Sequence, residues 1–219
     1  MTSSTGNPQP IPLPLAGNGP LTPKPPPWRA TSSRCVYENP WSQVMEEELQ
    51  GPQGEAGLYA YFAPVDCVLI VPLWQESGLW FTALVEQWRQ PIRAQTWELP
   101  CGRLEPGESV LAAARRELAE ECGLQAGRWQ QGGDWQHSDA RVAGNIALLA
   151  AWDCQSIADK PPGDGSEIDL QAFRLPLQAA WSAVGQGRLR QCASIAAIAW
   201  ALDLVYRDGH SAEAGASPA

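Results

Sequence analysis

Three glutamates within little more than one helical turn are the residues of this sequence best suited to chemistry. In a stretch that predicts a helix, Glu117 and Glu121 are four residues apart and therefore project from one face, with Glu120 beside them. Like charges this close repel each other, and a divalent cation with oxygen ligands removes the repulsion. A cation held in this way neutralises phosphate charge and activates water. The spacing therefore predicts a site for a divalent cation, which typically also binds substrate phosphates and water.

A helix and the loop before it are the elements that must position these carboxylates. The pattern predicts a helix over Glu108–Cys122, which is rich in alanine, acidic at its start and ended by Gly123. Gly102 and Gly107 allow the preceding loop to turn tightly and bring its backbone close to an ion. An adjacent apolar stripe predicts that the acidic face lies at the edge of the core: Leu111, Ala114, Leu118 and Cys122. The alternative is a solvated helix whose glutamates and arginines form surface pairs.

Hydrophobic periodicity along the rest of the chain predicts an α/β fold with a mixed sheet. A hairpin is expected from Trp41–Gln50 and Gly57–Ala63, joined by a turn at residues 51–54. Further strands are predicted at Asp66–Leu73, Leu79–Gln87, Thr96–Leu99, Trp129–His137, Asn145–Trp152 and Asp169–Arg174. Two more helices are predicted at Pro176–Val184 and Leu189–Tyr206.

The two ends of the chain differ in composition from its middle. Residues 1–34 contain nine of the twenty prolines, and little apolar material that could be buried, which predicts a disordered or polyproline-like tail. Residues 208–219 are expected to be disordered for similar reasons. Between them we expect an N-terminal β subdomain over residues 35–63 and the main domain over residues 64–207.

Charge and cysteine content narrow the classes of partner and compartment. The net charge of −9 disfavours binding to a nucleic-acid backbone. No apolar run approaches the roughly 20 residues of a membrane span, and the N-terminus does not have the pattern of a secretory signal. The six cysteines are scattered without metal-binding spacing, which fits reduced thiols in a cytoplasm. We therefore expect a cytoplasmic protein with a small-molecule substrate and neither nucleic-acid nor membrane partners.

The segment from Gly102 to Leu124 contains a longer pattern than the glutamates alone. It reads G-x5-E-x7-R-E-(aliphatic)-x-E-E-x-G-(aliphatic), and every fixed position matches the signature of the Nudix hydrolases. The chain is therefore similar to a family of metal-dependent enzymes that cut a diphosphate bond in nucleotide-like substrates. This resemblance implies a Nudix-type α/β/α sandwich with a mixed β-sheet, preceded by a small N-terminal β-hairpin or sheet.

The resemblance also implies roles for individual positions of this segment, here called the Nudix box. Four ligands for Mg²⁺ or Mn²⁺ are implied: the backbone carbonyl of Cys101 and the carboxylates of Glu117, Glu120 and Glu121. Structural roles are implied for Gly102, Glu108, Arg116 and Gly123. Among these, Glu108 and Arg116 resemble a pair that fixes the loop to the helix.

Sequence outside the box resembles the ADP-ribose (ADP-sugar) pyrophosphatase branch of the family. The similarity lies in YENPW at 37–41, LVEQWRQP at 84–91 and WELP at 97–100. Substrate-binding positions are implied at Arg89, Glu98 and Trp41. The N-terminal sheet resembles one that extends across a homodimer, where Tyr37 or Trp41 stacks on a base, with packing in the core or the interface as the alternative role.

The expected reaction is hydrolysis of ADP-ribose or a related ADP-sugar to AMP and a sugar phosphate. A proline that ADP-ribose enzymes commonly have beyond the box is absent between Gly123 and Lys160. Another nucleoside diphosphate sugar, a dinucleotide, or a non-catalytic role as a nucleotide sensor therefore stay as alternatives. By resemblance, the base that activates water is Glu167, with Asp164 as its rival on the same loop and Glu120 as a more distant one.

Overall fold

Two hydrophobic strands, β4 (Cys67–Glu76) and β10 (Val142–Trp152), lie parallel at the centre of the sheet. The computed structural model, which describes residues 25–163 and 168–214, buries the middle of both strands completely. Alternate side chains of β4 enter different cores, with Leu69 on one face and Ile70 on the other. A strand buried on both faces is apolar at every position, which explains the continuous hydrophobic run in this part of the sequence.

The remaining elements follow one another in the order expected for an α/β domain. The strands are β1 (Arg29–Asn39), β2 (Ser42–Gln50), β3 (Ala56–Phe62), β5 (Leu79–Arg89), β6 (Ala94–Glu98), β7 (Cys101–Arg103), β8 (Leu124–Gln125), β9 (Arg128–Ser138), β11 (Gln155–Ser156) and β12 (Gln171–Pro176). The helices are α1 (Val110–Cys122), α2 (Leu177–Gly185) and α3 (Cys192–Ala214).

The strands are joined in one mixed sheet in the order β1-β2-β3-β10-β4-β5-β12. In addition, β6 pairs with β5, β7 with β4, and β9 with β10, while β8 and β11 pair separately. Helix α1 packs on one face of the central strands through Ala113, Ala114 and Leu118. Helices α2 and α3 cover the other face through residues such as Ala180 and Ile198. The predicted α/β/α sandwich with a mixed sheet is therefore confirmed.

The N-terminal sheet has one strand more than the sequence predicted. Strand β1 begins at Arg29, whereas the predicted tail extended to residue 34, so the boundary of the tail was placed too late. This strand is almost entirely exposed and polar, and it is held by pairing with β2 and by cross-strand contacts such as those of Arg34 with Glu46. Nothing in its own hydrophobic pattern distinguishes it from a tail, because its stability depends on its neighbour.

Several element boundaries also differ from the predictions. Helix α1 starts at Val110, since the side chain of Ser109 caps it by accepting a hydrogen bond from the amide of Ala112. On this helix the predicted stripe is wrong at Leu111, which is exposed, and Ala113 lies in the core in its place. The last helix runs to Ala214, into the segment predicted to be disordered. None of the helices in the described part of the chain is long and apolar enough to cross a membrane.

The N-terminal sheet is attached to the main domain at the N-terminal end of β10. The amide of Phe62 donates to the carbonyl of Arg141, and the guanidinium of Arg103 donates to the carbonyl of Trp41 over 3.2 Å. Strand β3 pairs with β10 in parallel at Phe62 and Val142. The N-terminal sheet therefore meets the main domain next to β7, which begins the Nudix box.

A glycine on β10 lets this strand approach the segment that leads into β4. A Cβ atom at Gly144 would lie 2.1 Å from the carbonyl oxygen of Val65, so Gly144→Ala must displace backbone. We expect a loss of about 1–3 kcal/mol in the free energy of unfolding, measured by chemical denaturation. Gly185→Ala is the matched control, because no atom lies within 4 Å of its Cβ position. Equal effects of the two substitutions would contradict this account of the packing.

Candidate active site

Arg116 joins the box loop to the helix by contacting three glutamates. Its Nε and Nη2 donate to the two carboxylate oxygens of Glu108 over 3.0 and 2.9 Å, and Nη1 donates to Glu117 over 2.6 Å. Nη1 also lies 3.4 Å from the carboxylate of Glu120, and Nη2 donates to the carbonyl of Arg103. The pair that the sequence predicted between Glu108 and Arg116 is present. The hydrogen bonds to Glu108 are the main cause of the raised pKa of Arg116, and the same contact lowers the pKa of Glu108.

The backbone of β7 runs directly against the acidic face of α1. A Cβ atom at Gly102 would lie 1.7 Å from Oε1 of Glu117, so only glycine leaves room for this carboxylate. One residue earlier, the amide of Cys101 donates to the carboxylate of Glu121 over 3.0 Å. Glu117 and Glu121 are 7% and 1% exposed, which is unusual for carboxylates. The fold therefore brings two buried carboxylates of α1 next to the backbone of Cys101 and Gly102.

The C-terminal end of α1 is closed by contacts that keep its last turn regular. Gly123 adopts the left-handed conformation, with φ 64°, and its amide donates to the carbonyl of Ala119. The ammonium group of Lys160 donates to the carbonyl of Glu121 over 2.8 Å. A cation at this position interacts favourably with the helix dipole. These contacts fix the turn that contains Glu120 and Glu121.

Arg89 is held beside the same site by a buried carboxylate. Its Nε and Nη2 donate to the two oxygens of Glu98 over 2.8 and 2.6 Å, and Glu98 is only 2% exposed. The side-chain amide of Gln191 donates to the same carboxylate over 3.2 Å. The side-chain oxygen of Gln191 accepts from the backbone amide and from the hydroxyl group of Ser194, at the start of α3. The pKa of Arg89 is raised, first by the hydrogen bond to Glu98 and more weakly by the negative charges of Glu98 and Glu121.

A cavity of about 260 Å³, here called the Trp41 cavity, opens between the N-terminal sheet and the box. Trp41 and Phe62 line it from the N-terminal sheet, while Arg103 and His137 line it from the main domain. Trp41 is 70% exposed, so its ring is accessible to a ligand or to another protein chain. His137, one of the two histidines of the chain, lies on this wall.

The thiol of Cys101, at the site itself, is a poor candidate for a nucleophile. All six cysteines are free. A hydrogen bond to Cys67 and burial both raise the pKa of Cys101, whereas the same hydrogen bond, together with His137, lowers the pKa of Cys67. Burial also raises the pKa of Cys154 to about 12. Cys101 therefore keeps its thiol proton, and the group that it offers to the site is its backbone.

The fold brings most of the predicted site residues into one region. Glu117, Glu121, Glu120 and Cys101 meet where β7 packs on α1, and Arg89 lies beside them. Within residues 25–163 and 168–214, no group of three His, Cys, Asp or Glu side chains is arranged as a ready-made metal site. Arg116 contacts Glu117 and Glu120, and the amide of Cys101 contacts Glu121. The predicted base Glu167 and its rival Asp164 lie outside the described residues.

Several residues of the site were not identified from the sequence. These are Arg103, His137, Lys160, Gln191 and Ser194. Gln191 precedes α3, and its side-chain oxygen accepts from the backbone amide of Ser194, but glutamine is not among the residues that usually mark the start of a helix. Lys160 lies 39 positions after Glu121, whose backbone carbonyl it contacts. No sequence pattern at that separation predicts a contact between two residues.

Comparison with known proteins agrees with the geometry. The family model described as NUDIX domain matches residues 64–188, which is more than half of the chain. The ADP-ribose pyrophosphatase of Mycobacterium tuberculosis is 29% identical over 116 residues, covering 52% of this chain and 56% of that protein. The ADP-sugar pyrophosphatase of Mus musculus is 31% identical over 101 residues, covering 42% and 46%. The chain thus spans about half the length of the curated relatives it matches.

A solved structure titled as an ADP compounds hydrolase has the same fold. The TM-score is 0.73 at 18% sequence identity, and the match covers 86% of this chain and 99% of the other. At this identity the likeness concerns the fold alone. Taken with the match of the family model, the complete box and the packing of β7 on α1, it leads to one conclusion: this chain belongs to the NUDIX domain family.

Proposed function

We propose that the protein hydrolyses the diphosphate bond of a nucleoside diphosphate sugar, with ADP-ribose or a related ADP-sugar as the best substrate, in the presence of Mg²⁺ or Mn²⁺. The observation that supports this most directly is the pair of buried carboxylates, Glu117 and Glu121, beside the backbone of Cys101 and Gly102. The names of the curated relatives, an ADP-ribose and an ADP-sugar pyrophosphatase, favour the substrate class.

The donor set suits a hard divalent cation. In our proposal the cation is held by the carboxylates of Glu117 and Glu121 and the backbone carbonyl of Cys101, with Glu120 as a further or water-mediated ligand. Mg²⁺ takes one or two protein carboxylates, together with water and substrate oxygens, so a cluster of three side chains is not required. Because residue 102 is a glycine, the carboxylate of Glu117 has space that any larger side chain at position 102 would fill. When bound, the cation supplies charge stabilisation and an activated water.

The reaction replaces one phosphorus–oxygen bond by another. The oxygen of a water molecule bonds to one phosphorus of the diphosphate, and the bond from that phosphorus to the bridging oxygen breaks. The bridging oxygen leaves with the other phosphate, and a carboxylate base takes the proton of the water. With ADP-ribose the products are AMP and ribose 5-phosphate. Glu167 is the proposed base, with Asp164 and Glu120 as alternatives.

Arg89 is proposed to contact the diphosphate, and Glu98 to position Arg89. An arginine fork matches phosphate oxygens well, and two of its five N–H groups are used by Glu98. Because Glu98 is buried and its oxygens accept from Arg89 and Gln191, we assign it a positioning role in place of the direct substrate contact implied by resemblance. Removing Arg89 would leave a buried, uncompensated carboxylate, which typically costs about 3–5 kcal/mol.

The nucleobase of the substrate is proposed to bind in the Trp41 cavity, where Trp41 offers an exposed aromatic face.

A homodimer is proposed as well, because the N-terminal sheet exposes an apolar row that a single chain does not cover. Tyr37, Val44 and Phe62 are direct cross-strand partners in this row, and Leu58 lies on the same face. Tyr37, Leu58 and Phe62 are all at least half exposed. A cytoplasmic location stays part of the proposal.

Hydrolysis should depend on the cation and on the two buried carboxylates. We expect a panel of nucleoside diphosphate sugars, analysed chromatographically with Mg²⁺ or Mn²⁺, to give a nucleoside monophosphate and a sugar phosphate. Glu117→Gln and Glu121→Gln keep the shape but remove a charge, so turnover should fall about 100-fold or more. Mn²⁺ binding, followed by electron paramagnetic resonance, should weaken in parallel while the circular dichroism spectrum stays unchanged.

Glu105→Gln is the matched control for these variants, because Glu105 is an exposed carboxylate of the same loop. It should retain wild-type turnover and Mn²⁺ binding. Unchanged turnover in both Glu117→Gln and Glu121→Gln would refute the catalytic assignment. Tight nucleotide binding by the wild-type protein without hydrolysis would instead indicate a nucleotide sensor.

The proposed base is tested by comparing the two acids of its loop. Glu167→Gln should lower kcat sharply with little change in KM, because the contact is made in the transition state. Asp164→Asn should have a mild effect in the same steady-state assay. The reverse result would transfer the role to Asp164. Mild effects of both substitutions would remove this loop from the chemistry and leave Glu120.

The proposed homodimer is tested by introducing a charge into the apolar row. Leu58→Lys should shift the protein from dimer to monomer in light scattering, because a lysine in a covered apolar interface loses its solvation. Leu79→Lys is the control, since Leu79 is equally exposed but lies at the start of β5. A monomeric wild-type protein, or loss of the dimer in both variants, would contradict the assignment of this face.

A further inference from the structure

A second cavity, of about 500 Å³, opens beside Arg89 and is here called the Arg89 cavity. Glu98 forms part of its wall, while Arg103 lines the Trp41 cavity. The backbone from Glu98 to Arg103 therefore leads from one cavity to the other, over at most about 18 Å. Cys101 and Gly102, which contact the carboxylates of α1, lie within this stretch. A diphosphate bound at these carboxylates would therefore lie along this backbone stretch, between the two cavities.

The two cavities differ in the chemistry that they offer. The Trp41 cavity has aromatic rings, which suit the face of a base. The Arg89 cavity has apolar walls at Pro91 and Ile92 and a few hydrogen-bonding groups, chiefly those of Arg190 and Gln191. Mostly apolar cavities with a few placed polar groups are typical of small-molecule sites.

Arg190 is the group of this cavity that has its donors available. Arg89 donates two hydrogen bonds to the carboxylate of Glu98, and the side chain of Gln191 forms hydrogen bonds with Glu98 and Ser194. By contrast, no carboxylate of the described part of the chain forms an ion pair with Arg190. A guanidinium in this state provides five N–H donors, which match hydroxyl and phosphate oxygens.

We propose that the Arg89 cavity binds the sugar that follows the diphosphate, and that Arg190 determines specificity for substrates that have such a sugar. The assignment rests on the proposed function, because it takes the diphosphate to lie at the carboxylates of α1. In this arrangement the apolar walls pack against the carbon atoms of the sugar, and Arg190 donates to its hydroxyl oxygens. The cavity thereby distinguishes a nucleoside diphosphate sugar from a nucleoside diphosphate that ends at its second phosphate.

The test compares ADP-ribose with ADP, which has the same base and diphosphate but no sugar. In Arg190→Gln the KM for ADP-ribose should rise about tenfold with kcat little changed, as expected for loss of a hydrogen bond from a charged donor. The inhibition constant of ADP against ADP-ribose hydrolysis should stay within about twofold of the wild-type value. Arg188→Gln is the matched control, because Arg188 lies over the ring of Trp97, 5.3 Å from its centre, and does not line the cavity. It should change neither quantity.

Two results would overturn the assignment: an equal change for ADP-ribose and ADP in Arg190→Gln, or no change for either. If the wild-type protein hydrolyses no member of the nucleotide panel, the proposed function fails, and the cavity is then tested by binding. Ribose 5-phosphate, observed by ligand-detected NMR in the presence of Mg²⁺, should bind about tenfold more weakly to Arg190→Gln than to Arg188→Gln. Equal or undetectable binding in both variants and in the wild type would overturn the assignment independently of turnover.

Discussion

The contacts of Arg116 with the glutamates of the box are the interaction on which the site depends. Three carboxylates, those of Glu108, Glu117 and Glu120, lie around one guanidinium. Without the guanidinium of Arg116, these carboxylates would repel one another more strongly at the edge of the core, where charges are poorly screened. The same guanidinium donates to the carbonyl of Arg103, so it also ties the loop backbone to the helix. One side chain thus offsets part of the negative charge of the acids and also holds the loop.

The close approach of β7 to α1 follows from this arrangement. Because the loop is held down by Arg116, the backbone of Cys101 and Gly102 comes within contact distance of the buried glutamates. Carboxylates this deeply buried normally require partners. Here the partners on one side are the amide of Cys101 and the guanidinium of Arg116.

A third buried carboxylate, Glu98, fixes an arginine beside the site by the same principle. It holds Arg89 with two hydrogen bonds and receives a third from Gln191, which connects β5, β6 and the start of α3. An arginine fixed in this way loses little conformational entropy when it binds a phosphate, since its fork is already oriented. The three buried acids therefore differ in their partners: Glu117 and Glu121 of α1 lie against the backbone of β7, whereas Glu98 holds the guanidinium of Arg89.

Much of this protein was determined by local sequence. The box specifies the helix, its end at Gly123 and the pairing of Glu108 with Arg116, because these features depend on residues within a few turns of one another. The central strands were evident from their apolar runs, since burial on both faces leaves no polar positions. Where a signal is local and strong, as in these segments, the fold and most residues of the site could be predicted.

Only the tertiary structure decided the features that join distant segments. The first part of strand β1, residues 29–34, was assigned to a tail because it is polar and is held by pairing with β2. Leu111 matched the helical period yet is exposed, whereas Ala113 packs in the core with Val68 and Ile70 of β4. Lys160 and Gln191 reach the site from segments far away along the chain. Their positions follow from how strands and helices pack, which is a long-range property that no local pattern records.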